Sequence, residues 1–257
     1  MSVNLQSDLD TILTVLGTTK PSLWPFVEGT GLVISGIAVV DLASAESSGT
    51  AEALEDDFSP LKHPSGLHSY HFNPTGDHHL AGLAHANFTF GDGSDDAAFS
   101  VGAWIRPVVG NVNVIMGKYD SAGNKEEWRF FIDSNGKLSL ELHDASASAT
   151  EIGVSTDDVT LGAMQFCVAT YDGTNATPDV KLYINGVQNG AGTTAETGSY
   201  VAMEDTNAPL TVGCSGVTAT PVAEFHGRIA LPFVTGKELS GENVVTLYNI
   251  GKDLLGI

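Results

Sequence analysis

The sequence AMQFCVATYDG at residues 163–173, followed by DVKLYINGVQNG at residues 179–190, is the clearest indication of the fold of this chain. Apolar residues recur there at alternate positions, which is the period of a β-strand with one buried face. Asn185 and Gly186 tolerate the positive φ angles that a two-residue hairpin turn requires. The stretch therefore predicts two antiparallel strands and the start of a return strand, with Leu182 facing the protein core.

Short segments with the same two-residue period follow one another along most of the chain. They are residues 22–26, 68–72, 87–90, 98–107, 111–119, 126–133, 137–144, 163–172, 180–186, 208–214 and 225–234. Many short strands separated by Gly and Asn-Gly turns are typical of an antiparallel sandwich. We therefore predict an all-β protein, a two-sheet antiparallel sandwich, in which the Ala/Ser/Glu/Asp-rich residues 41–60 form a long surface loop.

The same alternation predicts which side chains are buried. Seven are expected mainly in the core: Phe88, Phe99, Val101, Phe130, Ile132, Phe166 and Leu182. The three tryptophans, Trp24, Trp104 and Trp128, also lie within strand patterns and are expected in the core rather than in an exposed binding site.

A short helix is predicted at each end of the sandwich. The first carries an apolar stripe on a 3.6-residue period and ends at Gly17; the stripe consists of Leu5, Leu9, Ile12, Leu13 and Leu16. The second begins after Ser240, a favourable N-cap residue. Because one such stripe is not stable alone, residues 1–19 are expected to form a helix or docking arm packed on the sandwich of residues 20–257 or on a neighbouring subunit. The alternative is a helix that closes one end of its own sandwich.

The charge of the chain limits its partners. Of 257 residues, 31 are acidic and 11 are Lys or Arg, which gives a formal charge of −20. Such a surface repels nucleic acid and anionic membranes, and it suits solubility, cation binding or docking on a basic protein surface. No apolar run is long enough to span a membrane, and the first residues lack the pattern of a signal peptide. We therefore expect no nucleic acid or membrane partner, and synthesis in a host cytoplasm without a signal peptide.

Five segments carry a resemblance to a known family. AMQFCVATYDG followed by VKLYINGVQNG resembles the paired strands of laminin-G-like domains in the concanavalin A-like lectin/glucanase superfamily. YHFNPTGDHHL (70–80), AFSVGAWIRP (98–107) and FHGRIALPFVTGKELSGENVVTLYN (225–249) resemble further family segments in the right order. The resemblance covers about residues 20–250 and implies a concanavalin A-like jelly roll. It says much less about function, because one fold hosts many functions.

The resemblance implies a family calcium site that this chain matches only in part. Many relatives place an Asp that helps to hold calcium where this chain has Ala230, whereas Asp77 matches an acidic position of an earlier family segment. Calcium takes about six or more oxygen ligands. Asp77 is therefore the one candidate metal residue, and we expect calcium to bind weakly or not at all, with no other cofactor.

The sequence carries none of the common catalytic motifs. Glucanases of the superfamily resemble one another in a Glu-X-Asp-X-X-Glu strand that supplies two carboxylates for hydrolysis, and the nearest sequence here is Glu55-Asp56-Asp57. Six of the eight histidines lie between residues 63 and 85: His63, His68, His71, His78, His79 and His85. A metal-binding or pH-sensing site is one interpretation. Alternation places His68 and His71, and likewise His78 and His79, on opposite faces, so structural or surface histidines are expected. The acidic runs 55–57, 92–96 and 157–158 are interpreted as solvated loop charges. We predict no catalytic residues and no enzyme.

Two function hypotheses follow from the resemblance. The first is a non-catalytic structural virion protein of a bacteriophage, serving as capsid decoration or as a tail or fibre module. It would be located in the virion and would bind other virion or capsid proteins and copies of itself. The alternative is a carbohydrate-binding adhesin for host glycans, with Tyr119, Tyr200 and residues 172–175 at the loop rim. A minor third hypothesis is a glycoside hydrolase that has lost the usual motif.

Overall fold

The structure is a computed structural model that describes residues 4–27, 33–34, 36, 42–45, 58–73, 78–174, 179–216 and 223–257. The helices are α1 (Leu5–Leu16) and α2 (Gly241–Leu255). The strands are β1 (Ser22–Leu23), β2 (Val33–Ile34), β3 (Leu42–Ala45), β4 (Leu61–Lys62), β5 (His68–Phe72), β6 (His79–Ala81), β7 (Phe99–Pro107), β8 (Asn113–Asp120), β9 (Lys125–Ile132), β10 (Lys137–Asp144), β11 (Ala149–Asp158), β12 (Gln165–Tyr171), β13 (Val180–Ile184), β14 (Val187–Ala191), β15 (Thr194–Thr197), β16 (Thr211–Val212) and β17 (Gly227–Thr235).

These strands form two antiparallel sheets that face each other. Within the described residues, one sheet has eight strands in the order β14-β13-β12-β7-β17-β5-β4, with β1 also paired to β17. The other has nine strands in the order β15-β11-β10-β9-β8-β16-β6-β3-β2. The prediction of an all-β, two-sheet antiparallel sandwich with a helix near each terminus is confirmed.

The hairpin of β13 and β14 forms as predicted. Strand β12 pairs with β13, and β13 turns directly into β14. Asn185 has φ 53° and Gly186 has φ 82°, which are the two positive values that a two-residue turn matching the sheet twist demands. The Asn185 side chain also accepts a hydrogen bond from the Phe166 N–H at 2.9 Å. The turn is thereby tied to the neighbouring strand as well as to its own hairpin.

The central part of the eight-stranded sheet is buried on both faces, whereas Arg106 and the edge strands β4 and β14 are exposed. Its inner face, which carries Val101 and Leu182, packs on the nine-stranded sheet, which contributes Phe130. Its outer face is covered by the two helices, which contact Trp104 and Phe166. All seven residues predicted to be core are buried, as are the three tryptophans.

Helix α1 uses its apolar stripe within the chain. Leu9, Ile12 and Leu16 are buried against the outer face of the eight-stranded sheet and against α2, and each such burial contributes about 1.5–3 kcal/mol before ordering costs. The Asn4 side chain caps the helix, and it ends at Gly17 as predicted. The helix thus covers a face of its own sandwich rather than closing an end. The division of the chain at residues 19 and 20 stays a prediction.

Two predictions of secondary structure were wrong, and several strands were not predicted. The predicted loop 41–60 contains strand β3, in which Leu42 is buried; residues 46–57 lie outside the described part. Residues 86–88 form a 3-10 turn rather than a strand, because His85 accepts a hydrogen bond from the Asn87 N–H and starts the turn. Strand β11 was missed altogether.

The reason for missing β11 is steric. A Cβ atom on Gly153 would lie 2.4 Å from Val180, so this core-facing position excludes the apolar side chain that would have marked the strand.

Neither described helix has the length and apolar character needed to cross a lipid bilayer.

Candidate functional site

A cleft of about 390 Å³ opens at one end of the eight-stranded sheet, where β7 begins and β12 and β17 end. A volume in this range suits a small ligand. The segment 86–97 forms one wall, and Lys20 and Asp205 complete the lining. The lining residues are Lys20, Ala86, Thr89, Phe90, Gly91, Asp92, Asp95, Asp96, Ala97 and Asp205.

The acidic run 92–96 forms a tight turn in this wall. The Asp92 carboxylate accepts hydrogen bonds from the N–H groups of Ser94 at 2.9 Å and Asp95 at 2.8 Å. These bonds lower the pKa of Asp92, because they stabilise its ionised form. Gly93 has φ 82°, and a Cβ there would lie 2.6 Å from the Glu204 carboxylate. The run is therefore a shaped wall that presents the carboxylate groups of Asp92 and Asp95 to the cleft, rather than only a solvated loop.

Of the described residues that line the cleft, only Lys20 is basic. Its ammonium group donates to the Thr89 carbonyl oxygen at 2.6 Å and lies 5.1 Å from the centre of the Phe90 ring. Burial lowers the pKa of Lys20, and this effect outweighs the opposing influence of Asp205. The positive charge is thus held against the wall, while Asp92, Asp95 and Asp205 provide the acceptors.

The floor of the cleft is anchored by Asp96. Its carboxylate accepts hydrogen bonds from the hydroxyl groups of Tyr171 at 2.8 Å and Tyr200 at 2.5 Å, and from the Met203 N–H at 2.9 Å. Burial raises the pKa of Asp96, although these three donors oppose the rise. Because Tyr200 and Met203 belong to the segment that carries Asp205, Asp96 fixes the position of the cleft's far wall.

A buried ion pair also binds the segment that carries Tyr200 and Asp205, through Thr206. Lys118 and Glu127 are fully buried and in contact with each other. Glu127 also accepts from the N–H of Thr206 at 2.7 Å and from its hydroxyl at 2.6 Å. Burial raises the pKa of Glu127, and Lys118 opposes the rise. No sequence pattern had pointed to this pair, because its members belong to different strands and their partner belongs to a loop.

The predicted rim residues do not come together. Tyr200 is half-buried, with its hydroxyl bound to Asp96 below the cleft. Tyr119 is not in a loop but in β8, on the outer face of the nine-stranded sheet, where the Arg129 guanidinium lies 4.8 Å from its ring centre. Asp172 accepts from the Thr174 N–H at 3.0 Å and shapes a turn; residues 175–178 lie outside the described part.

The candidate metal residues either lie far from other ligands or fall outside the described residues. Asp77 and the run 55–57 lie outside them. Ala230 is fully buried in the apolar layer between the eight-stranded sheet and the helices, so a calcium ligand at this position would have to lie in an apolar environment. Asp158 is exposed at the end of β11 and pairs with Lys137. Across the described ranges, no group of three His, Cys, Asp or Glu residues is arranged to hold a metal ion.

Several of the histidines make structural contacts. His85 starts the 3-10 turn, and His63 contacts the Leu255 carbonyl oxygen and the Ser69 hydroxyl. His71 lies next to His226, with ring centres 5.9 Å apart.

Solved structures with the same fold include several binding domains. The binding domain of Paraclostridial Mosquitocidal Protein 1 matches with TM-score 0.63 and 13% identity, over 91% of this chain and 52% of that one. The ligand binding domain of botulinum neurotoxin serotype D, solved with N-acetylneuraminic acid, matches with TM-score 0.59 and 14% identity, over 93% and 52%. The chain therefore spans about half the length of these toxin domains.

A carbohydrate-bound domain matches over nearly its whole length. Domain 4 of an extracellular arabinanase from Geobacillus stearothermophilus, solved with arabinotriose, has TM-score 0.59 and 16% identity, over 88% of this chain and 97% of the domain. At such identities the likeness shows the fold alone. No curated protein sequence matches the chain. The laminin-G model of the concanavalin A-like lectin/glucanases superfamily matches residues 81–245, and this chain belongs to that superfamily.

Proposed function

We propose that this chain is a non-catalytic glycan-binding domain and that the cleft beside Lys20 is its sugar site. The observation that carries the proposal is the lining of the cleft, in which Asp92, Asp95 and Asp205 present carboxylates to an open volume of about 390 Å³. Sugar hydroxyl groups donate hydrogen bonds to carboxylates, and a bond to a charged acceptor is stronger than one to a neutral acceptor. The arabinotriose complex of the arabinanase domain supports the proposal, because it shows this fold with a bound oligosaccharide.

The carboxylates of the cleft are poorly suited to hydrolysis. A glycosidase needs one carboxyl group that stays protonated to act as general acid, opposite a second that stays ionised. The pKa of Asp92 is lowered rather than raised. The pKa of Asp96 is raised, but its oxygens are occupied by two tyrosine hydroxyls and a backbone N–H. This arrangement supports binding without catalysis.

Binding of a glycan panel tests the proposal. The panel would include arabinotriose and other neutral oligosaccharides, with affinity measured by calorimetry and release of reducing ends measured in parallel. We expect at least one neutral glycan to bind, Asp205→Asn to weaken it at least about tenfold, and no reducing ends to appear.

Asp253→Asn is the matched control, because Asp253 is an exposed acidic residue on α2 outside the cleft. It should leave affinity unchanged. Equal loss in both variants, or no glycan bound at millimolar concentration, would contradict the proposed site. Release of reducing ends by the intact chain, abolished by an Asp substitution in the cleft, would contradict the absence of catalysis.

A second candidate function is a structural protein of a bacteriophage virion, either capsid decoration or a tail or fibre module. The observation that favours it is the charge of −20, which suits docking on a basic protein surface. The two functions are compatible, since a sandwich on a particle surface can also bind host glycans. Mass spectrometry of gradient-purified particles tests this role. Peptides of the chain in stoichiometric amount would support it, and their restriction to the soluble fraction would refute it.

A further inference from the structure

Three basic side chains lie in a row across the outer face of the eight-stranded sheet. Arg228 on β17 is directly paired with Arg106 on β7 and with His71 on β5. Directly paired residues of antiparallel strands point to the same face. This is the face that also carries Trp104, two residues from Arg106, beneath the helices. We call Arg106, Arg228 and His71 the arginine row.

The arginine row carries an uncompensated electrostatic cost. Like charges at directly paired positions destabilise a sheet, and Arg106 adds to the effect of burial in lowering the pKa of Arg228. Burial lowers the pKa of His71, with further lowering by Arg228, His226 and His78. Each of these neighbours adds positive charge, or gains it on protonation.

No carboxylate within the described residues neutralises the two arginines. The ion pairs there are made by Lys118, Arg129, Lys137 and Lys181. In a chain with 31 acidic residues and 11 Lys or Arg, two adjacent arginines without such a partner are unexpected. A ligand that supplies the missing negative charge would account for them.

Backbone carbonyl groups hold the two guanidinium groups in place. Arg106 donates through Nε to the Gly162 carbonyl oxygen at 2.7 Å. Arg228 donates through Nη1 to the carbonyl oxygens of Ser59 at 2.9 Å and Ser69 at 3.1 Å. These bonds leave both Nη atoms of Arg106 and the Nη2 atom of Arg228 for a ligand. Arg106 is exposed, whereas Arg228 and His71 are half-buried, so the row is accessible from one side.

We propose that the arginine row is an oxyanion-binding site that takes a carboxylate, sulfate or phosphate group, either free in solution or carried by a sugar. Planar guanidinium groups match such oxyanions with paired N–H donors. The distant acidic charge of the chain opposes binding only weakly at physiological ionic strength, because interactions between exposed charges are screened beyond about 8 Å. The site shares no residue with the cleft and does not depend on the glycan proposal.

Inorganic sulfate is the first probe, compared with sodium chloride at equal ionic strength. Sulfate raises the melting temperature of many proteins by exclusion from their surface, so the informative quantity is the difference between variants. Lys125→Gln removes the same charge from the other sheet. We expect sulfate to raise the melting temperature above its value in sodium chloride by the same amount for intact protein and for Lys125→Gln. Arg106→Gln should lose this extra rise and bind sulfate at least about tenfold more weakly, with Arg106→Lys in between. An equal rise in all variants would overturn the proposal.

Two further measurements sharpen the test. Without sulfate, Arg106→Gln should melt close to intact protein, because the relief of repulsion from Arg228 offsets the lost hydrogen bond to the Gly162 carbonyl oxygen; a fall of many degrees would make Arg106 a structural residue and overturn the proposal. Sialyllactose and lactose distinguish the source of the oxyanion. If sialyllactose binds more tightly than sulfate and the Arg106→Gln variant loses this binding, the ligand is a carboxylate carried by a sugar. If sulfate binds and sialyllactose does not, the ligand is a free anion. Equal, Arg106-dependent binding of lactose would contradict an oxyanion site.

Discussion

Replacing Lys118 by Met should destabilise the fold strongly, because it leaves the Glu127 carboxylate buried without its countercharge. Both residues are fully buried, and Lys118 also donates to the Thr206 carbonyl oxygen at 2.5 Å. Breaking a buried ion pair on one side costs about 3–5 kcal/mol. For a domain of this size, each kcal/mol shifts the melting temperature by about 2–4 °C, so a fall of roughly 6–20 °C is expected.

The pH dependence of this loss distinguishes a buried charge from a simple packing defect. The pKa of Glu127 is raised in the folded protein, mainly by burial. Between the unfolded and the folded pKa the native state keeps a proton that the unfolded chain has lost, so this group's contribution to stability falls as pH rises through that window. Without Lys118 the window extends further upward. The Lys118→Met variant should therefore lose most stability near pH 7–8 and less near pH 5.

Urea denaturation followed by tryptophan fluorescence measures both effects. Lys137→Met is the control, since Lys137 pairs with the largely exposed Asp158 at 2.7 Å and such pairs are worth about 0–1 kcal/mol. The double variant Lys118→Met/Glu127→Gln should recover about half of the loss, because a neutral amide can still accept from Thr206. A loss below about 1 kcal/mol at pH 7, or one that is constant from pH 5 to 8, would refute this reasoning.

The remaining predictions concern the helical layer and calcium. Gly251→Ala should lower stability by about 1–3 kcal/mol despite better helix propensity, because the new Cβ would lie 2.2 Å from the Trp104 indole nitrogen; Gly241→Ala, with no atom nearer than 3.9 Å, should be neutral in the same denaturation assay. Deleting residues 1–17 should cause aggregation or a much lower melting temperature, since the outer sheet face loses its cover; a stable monomer would show that α1 is dispensable. Millimolar calcium should shift the melting temperature by less than about 2 °C. By comparison, calcium at 100 times the Kd of a site present only in the native state would add about 2.7 kcal/mol to the free energy of unfolding. A larger rise in melting temperature, reversed by a chelator and by Asp77→Ala, would contradict this prediction.

Local sequence rules predicted the parts of the fold that depend on local chemistry. Turn residues with positive φ and strict alternation were sufficient for the β13–β14 hairpin, and Gly17 gave the C-terminal end of α1. The same rules failed where a neighbour replaces the local signal. At Gly153 the side chain of Val180 fills the space of a core residue, so β11 shows no apolar alternation there. The partner that decides this assignment belongs to a different strand.

The two charged sites show why function was less predictable than fold. Asp96 looked like one of several solvated aspartates, and only the tertiary structure reveals that the hydroxyl groups of Tyr171 and Tyr200 meet at its carboxylate. Arg106 and Arg228 each occupy an ordinary outward position within a strand. They become neighbours only through the register of β7 with β17, which hydrophobic patterning does not specify for side chains on a partly exposed face. A sequence pattern therefore locates the faces of a sheet, whereas a binding site depends on which outward residues of different strands are brought together.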